Sequence, residues 1–117
     1  MVVDTSALMA ILLQETDAAV YLEEITQAGE VCLSAATLVE LYIVAISRSG
    51  PLAVPKVDLL LAQCNAEVIP LEGVQIELAR DAFLTYGKGR SRAALNFGDC
   101  FSYALAKSRG EPLLYKG

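Results

Sequence analysis

The chain has 117 residues, 55% of them hydrophobic and 20% charged, with a net charge of −5. That size and composition describe one folded domain with a real core and exclude intrinsic disorder. With no histidine and only three widely spaced cysteines, Ser-His and Cys-His nucleophile systems, His-ligated zinc, zinc knuckles and a disulfide framework are all excluded.

In chain order, Met1-Val2-Val3 is a short apolar run ending at Asp4. Thr5-Ser6 can cap a helix from Ala7 to about Leu13, and Asp17 a second from Ala18 to Gln27, stopped by Gly29. Val31-Cys32-Leu33 reads as a second strand, and Ser34 caps a long helix, Ala35 to Ser47, ended by Gly50-Pro51. Residues 56–64 form a further helix, and Glu67-Val68-Ile69 a third strand. Val74 to Tyr86 is helical, with Ile76, Ala79, Ala82, Phe83 and Tyr86 on one apolar face. A polar loop over 87–92 leads to a helix from Gly98 to Arg109, and Pro112 to Tyr115 is a fourth strand. Short apolar strands alternating with helices predict a three-layer α/β/α domain spanning 1–117, with a central parallel sheet of four or five strands. In such sheets ligands bind outside the carboxyl ends of the strands.

The charge is unevenly spread. Residues 1–47 hold seven acids and no base, whereas Arg80, Lys88, Arg90 and Arg92 crowd 80–92 against Asp81 alone. This is either ordinary solvated surface or a cation-holding site beside a strip for a polyanion. The acidic N-terminus is no secretory leader, and no uncharged apolar run reaches the roughly 18 residues that span a bilayer. Free thiols fit a reducing compartment. The expectation is a cytoplasmic protein with no membrane partner.

Three acids stand out. Asp4 directly follows the first strand, at the rim where sites form, although it could simply cap the next helix. Glu40 lies in Leu38-Val39-Glu40-Leu41-Tyr42-Ile43, apolar nearly all round. A carboxylate buried there needs a partner or a metal, unless it reaches an exposed edge or a distant Arg. Thr37, one turn earlier, could share its face. Asp99 begins the last helix, where it serves the helix dipole and a capping box with Asn96, a role compatible with ligation. Three hard oxygen donors without His or Cys suit Mg²⁺ or Mn²⁺, and metal-assisted hydrolysis of a phosphodiester needs no histidine. Cys100 has no activating base and reads as a buried thiol. Gly87-Lys88-Gly89-Arg90 is either an exposed turn or a phosphate-holding loop.

The ordered set Val2-Val3-Asp4-Thr5-Ser6-Ala7-Leu8, Ser34-Ala35-Ala36-Thr37-Leu38-Val39-Glu40, Tyr86-Gly87-Lys88-Gly89-Arg90 and Asn96-Phe97-Gly98-Asp99-Cys100-Phe101, followed by Pro112-Leu113-Leu114-Tyr115, resembles the PIN-domain ribonucleases, specifically VapC-type toxins of bacterial type II toxin–antitoxin systems. The resemblance covers essentially the whole chain. It implies a Mg²⁺-dependent endoribonuclease whose catalytic, metal-holding acids are Asp4, Glu40 and Asp99. It implies that Thr5 or Ser6 supports the first acid, and Thr37 joins them as a supporting hydroxyl. Lys88, Arg90 and Arg92 are the candidates for the RNA backbone. It further implies a VapB-like cognate antitoxin and a homodimer, alone or within a larger toxin–antitoxin assembly. Similar proteins continue past the final strand into a tail carrying a further acid; here either such a tail lies beyond Gly117, which is the expectation, or the protein lacks that acid and its metal binding is weaker. The rival readings are a non-catalytic PIN-like RNA- or protein-binding module and a DNA nuclease of related fold. A receiver-like signalling domain lacks its phosphoacceptor Asp after the third strand.

Overall fold

The computed structural model describes residues 1–117. Its elements are β1 (Val2–Val3), α1 (Thr5–Leu12), α2 (Ala18–Ala28), β2 (Cys32–Ser34), α3 (Ala35–Ser49), α4 (Ala53–Gln63), β3 (Glu67–Ile69), α5 (Gly73–Tyr86), α6 (Phe97–Arg109) and β4 (Leu113–Leu114). The four strands form one parallel sheet in the order β3-β2-β1-β4. Successive strand residues face opposite sides, and that alternation builds the layers. Val3 and Leu33 enter a core with Leu8, Leu41 and Val57, supplied by α1, α3 and α4. Val2 and Cys32 face the other way, onto Leu105 and Ala106 of α6. The expected three-layer α/β/α arrangement is therefore present, with four strands.

The order of the strands fixes the place of the chemistry. The chain passes from β1 outward to β2 and β3, then returns to lay β4 on the far side of β1. Strand order reverses at β1, and the carboxyl end of a strand at such a reversal opens into a crevice. Asp4 is the first residue beyond it. Its backbone N–H donates to Leu114 O at 2.9 Å, so the last strand clasps the first acid.

Several local expectations are corrected. Asp4 itself caps α1, accepting from the Ser6 N–H at 3.1 Å, so the helix starts at Thr5 and needs no cap from Thr5-Ser6. Asp17 stands at the N-cap of α2 without a side-chain capping bond; its carboxylate meets Lys116 Nζ at 3.3 Å instead. The second strand begins one residue later than expected, at Cys32. The fourth helix begins earlier, at Ala53, because a proline (Pro55) is tolerated in a first turn. Two helices turn differently from their apolar patterns. On α3, Thr37, Leu41 and Ala45 are buried, while Val39 and Ile43 are exposed, so the helix is half-buried and not enclosed. On α5, Gln75 and Ala82 are buried, and Ile76, Phe83 and Tyr86 remain exposed. Apolar residues outnumber the inward positions on both helices, so periodicity alone misassigns the face.

Candidate active site

Asp4, Glu40 and Asp99 come from three elements: the end of β1, the second turn of α3 and the first turn of α6. The packing of α3 and α6 against one face each of β1 and β2 directs both helix starts toward the crevice. Asp4 is 5% exposed, a depth that demands hydrogen-bond donors. It has three. Ser6 N and Ser6 Oγ donate to Oδ2 at 3.1 and 2.7 Å, and Ser102 Oγ donates to Oδ1 at 2.5 Å. Ser102 lies one turn after Asp99 on α6, and its oxygen is 3.2 Å from Thr37 Oγ1 on α3. One buried hydroxyl network thus joins the three elements that carry the acids.

Glu40 is half-buried, and the Thr5 hydroxyl donates to its Oε1 at 2.6 Å. Burial pushes its carboxyl above the usual range, and the nearby charges of Asp4 and Asp99 push the same way, against the Thr5 hydrogen bond. The other edge of Glu40 lies against Gly98, where a Cβ would stand 1.8 Å from Oε2. Glycine is required there to let α6 approach the carboxylate. Asp99 completes a capping box: Asn96 N donates to Asp99 Oδ2 and Asp99 N to Asn96 Oδ1, both at 2.9 Å. Its Oδ1 is left for another partner.

No cation compensates these acids. The ion pairs of the molecule join the N-terminus to Glu111, Arg80 to Asp81, Arg109 to Glu111, and Lys116 to Glu15 and Asp17. Glu40 is not neutralised by a distant Arg. Glu40 is near enough to feel the charges of Asp4 and Asp99, but the three acids do not form a group that could hold one metal ion. Each is held by a hydroxyl or a backbone N–H.

The supporting residues divide differently from expectation. Ser6 holds Asp4, whereas Thr5 holds Glu40. Thr37 is fully buried and reaches Ser102. The Cys100 thiol is buried, donates to Asn96 O at 3.2 Å, and is pushed up by that burial, so it is no nucleophile. Lys88, Arg90 and Arg92 are exposed on the loop between α5 and α6, with Arg90 over the Phe83 ring at 5.9 Å. They do not line the cavity beside the acids; Lys116 does. Its backbone N–H donates to Ser6 Oγ at 2.9 Å. Ser102 and Lys116 were missed by sequence reasoning. Ser102 carried a signal, because a residue three after Asp99 shares its helical face. Lys116 carried none.

The comparisons with known proteins identify the family. The PIN domain family matches residues 1–117. Ribonuclease VapC of Mycolicibacterium smegmatis is 45% identical over 117 residues, covering all of this chain and 91% of that protein. Ribonuclease VapC30 and ribonuclease VapC28 of Mycobacterium tuberculosis are 45% and 46% identical over 118 positions, covering all of this chain and 89% of each. The fold, the crevice at β1 and full-length identity at this level lead to one conclusion: the chain belongs to the PIN-domain family, among its VapC-type ribonucleases.

Proposed function

We propose that residues 1–117 form one PIN domain acting as a metal-dependent endoribonuclease, the toxin of a toxin–antitoxin pair. The observation that carries this reading is Glu40, a half-buried acid that feels the charges of Asp4 and Asp99 and has no cation among its partners. Uncompensated charge of that kind is costly unless a ligand neutralises it. The donors are hard carboxylate and hydroxyl oxygens, which fit Mg²⁺ or Mn²⁺ and not zinc or copper. Asp4, Glu40 and Asp99 would hold the ion. Bound there, it supplies Lewis-acid stabilisation of a phosphodiester and a water acidic enough to attack it near neutral pH.

The protein's own groups do the rest. Ser6 and Ser102 fix both oxygens of Asp4, and Thr5 fixes one of Glu40, so the acids are oriented before substrate arrives. The capping box engages Asp99 Oδ2 and leaves Oδ1 free for a ligand. Lys88, Arg90 and Arg92 are exposed, which supports a role for them in holding RNA phosphates. The exposed apolar strip Val39, Ile43 and Ile46 on α3 supports a homodimer or a VapB-like antitoxin as its cover. A cytoplasmic location accords with three free cysteines.

The test is cleavage of RNA and of DNA by the full chain with Mg²⁺, with Mn²⁺ and with chelator. RNA cleavage is expected with either metal and none with chelator. Asp4→Asn and Asp99→Asn should each reduce it at least about 100-fold while circular dichroism stays unchanged. Full activity in both variants, or binding of RNA with no cleavage under any metal, would overturn the assignment.

A further inference from the structure

The chain beyond β4 runs on beside the first acid. Val2 N donates to Pro112 O and Asp4 N to Leu114 O, both at 2.9 Å, with Val3 in register with Leu114. Rungs of a parallel ladder are evenly spaced, so the next would join the Lys116 N–H to the Asp4 carbonyl. That carbonyl is taken: α1 has begun, and Leu8 N donates to it at 3.3 Å. The Lys116 N–H donates instead to Ser6 Oγ at 2.9 Å, across 110 residues of sequence. Ser6 Oγ in turn donates to Asp4 Oδ2 at 2.7 Å.

A serine hydroxyl has one proton and two lone pairs, and it rotates to suit its surroundings. The Lys116 N–H occupies the accepting side of Ser6 Oγ, which directs the single proton at Asp4. What keeps Lys116 in place is its own side chain. Its Nζ reaches Glu15 Oε2 at 2.7 Å and Asp17 Oδ1 at 3.3 Å. Both acids sit in the turn between α1 and α2, and that turn is fixed by its backbone. Gln14 takes the left-handed conformation at φ 52°, and Glu15 N donates to Ala10 O and Ala18 N to Glu15 O, both at 3.0 Å. The ion pairs themselves are partly exposed, and such pairs contribute little to stability. Their effect here is placement.

We propose that Lys116 is a positioning residue for Asp4: moored on Glu15 and Asp17, it holds its N–H on Ser6 Oγ and thereby commits the Ser6 proton to the carboxylate. This rests on the reading of Asp4 as a metal-holding acid, and it adds a residue that touches neither metal nor substrate. A committed donor keeps Asp4 Oδ2 in one orientation before an ion arrives. With the Lys116 side chain removed, the Ser6 hydroxyl is free to turn away, and Oδ2 keeps the Ser6 N–H at 3.1 Å. The charge of Lys116 acts in the opposite direction. A cation near the acids repels a divalent ion, so its loss by charge alone tightens metal binding. Positioning and charge therefore differ in sign.

The test is the Mn²⁺ affinity of the full chain without RNA, read from the electron paramagnetic resonance signal of the free ion. Lys116→Ala should weaken it about 3- to 10-fold, no more than the loss of a ligand's direct hydrogen-bond partner costs, and Lys116→Arg should restore it. In a Ser6→Ala background Lys116→Ala should change nothing, because the group it acts through is gone. In chelator, the amide of position 116 should exchange slowly with solvent deuterium in wild type and Lys116→Arg, and faster in Lys116→Ala. Four results overturn the proposal: no Mn²⁺ binding by wild type, Mn²⁺ binding in Lys116→Ala as tight as in wild type or tighter, a loss that persists undiminished in the Ser6→Ala background, or fast exchange of the amide in wild type. Incubating the same samples with RNA separates the two readings. Cleavage with Mn²⁺ affinity indifferent to Lys116 refutes the positioning role alone, and Mn²⁺ affinity dependent on Lys116 without cleavage refutes the ribonuclease alone.

Discussion

The Ser102 hydroxyl donates to Asp4 Oδ1 at 2.5 Å across 98 residues of sequence, and both groups are buried. The other oxygen of Asp4 is held by Ser6, so Ser102 alone controls the rotation of the inner edge of the carboxylate. Ser102→Ala should lower metal-dependent cleavage about 10-fold. Unfolding stability should fall by about 1–3 kcal/mol, because a buried acceptor loses its donor. Urea titration and single-turnover cleavage check the two effects. Unchanged cleavage would remove Ser102 from the positioning of Asp4.

Gly98 presents a different dependence. A Cβ at this position would stand 1.8 Å from Glu40 Oε2, so Gly98→Ala must displace the carboxylate. Alanine also favours the helix by up to about 1 kcal/mol, which offsets part of the clash. The expectation is a melting temperature changed by only a few degrees, with cleavage reduced at least about 10-fold. A drop in stability with full activity would show that Glu40 does not need its present position.

The raised carboxyl of Glu40 gives a pH signature. Its folded value lies above the ordinary 4.5 because burial and then the charges of Asp4 and Asp99 disfavour ionisation. The native state therefore binds more protons than the unfolded chain in that window, and stability falls as pH rises from 4.5 through the folded value. In chelator, Glu40→Gln should flatten this decline. Mg²⁺ or Mn²⁺ should oppose it in wild type, since both compete with the proton for the same oxygens. Denaturant midpoints across pH, with and without metal, test this; identical slopes in wild type and Glu40→Gln would contradict it.

The basic loop is expected to act through charge alone. Lys88, Arg90 and Arg92 are exposed and take part in no ion pair. Replacing all three with alanine should weaken RNA binding at low salt. The slope of log affinity against log salt should fall by about 0.7 per lost contact, or about 2 in total. The melting temperature should hardly move. An unchanged slope would exclude the loop from the RNA path.

Much of this was legible in the chain itself. Val2-Val3-Asp4 announces a buried strand and an acid at its carboxyl end, and Asn96-x-x-Asp99 announces a capping box that the structure contains in full. Local signals suffice in both cases, because strand ends and helix caps are decided by neighbours. The faces of α3 and α5 were not legible. Val39, Ile43, Ile76 and Phe83 are apolar yet exposed, and only tertiary packing decides which of two apolar stripes turns inward. The partner of Thr5 was hidden for a related reason. Its hydroxyl could reach either Asp4 or Glu40, and the choice depends on where α3 sits against α1.

The position of β1 between β2 and β4 has a consequence in time. A chain still emerging from the ribosome holds Asp4 and Glu40 long before Asp99 and Ser102 exist, and the clasp from Leu114 to Asp4 comes last of all. Until the segment with Asp99 and Ser102 has emerged, Asp4 lacks the donor to its Oδ1 and the set of three acids is incomplete.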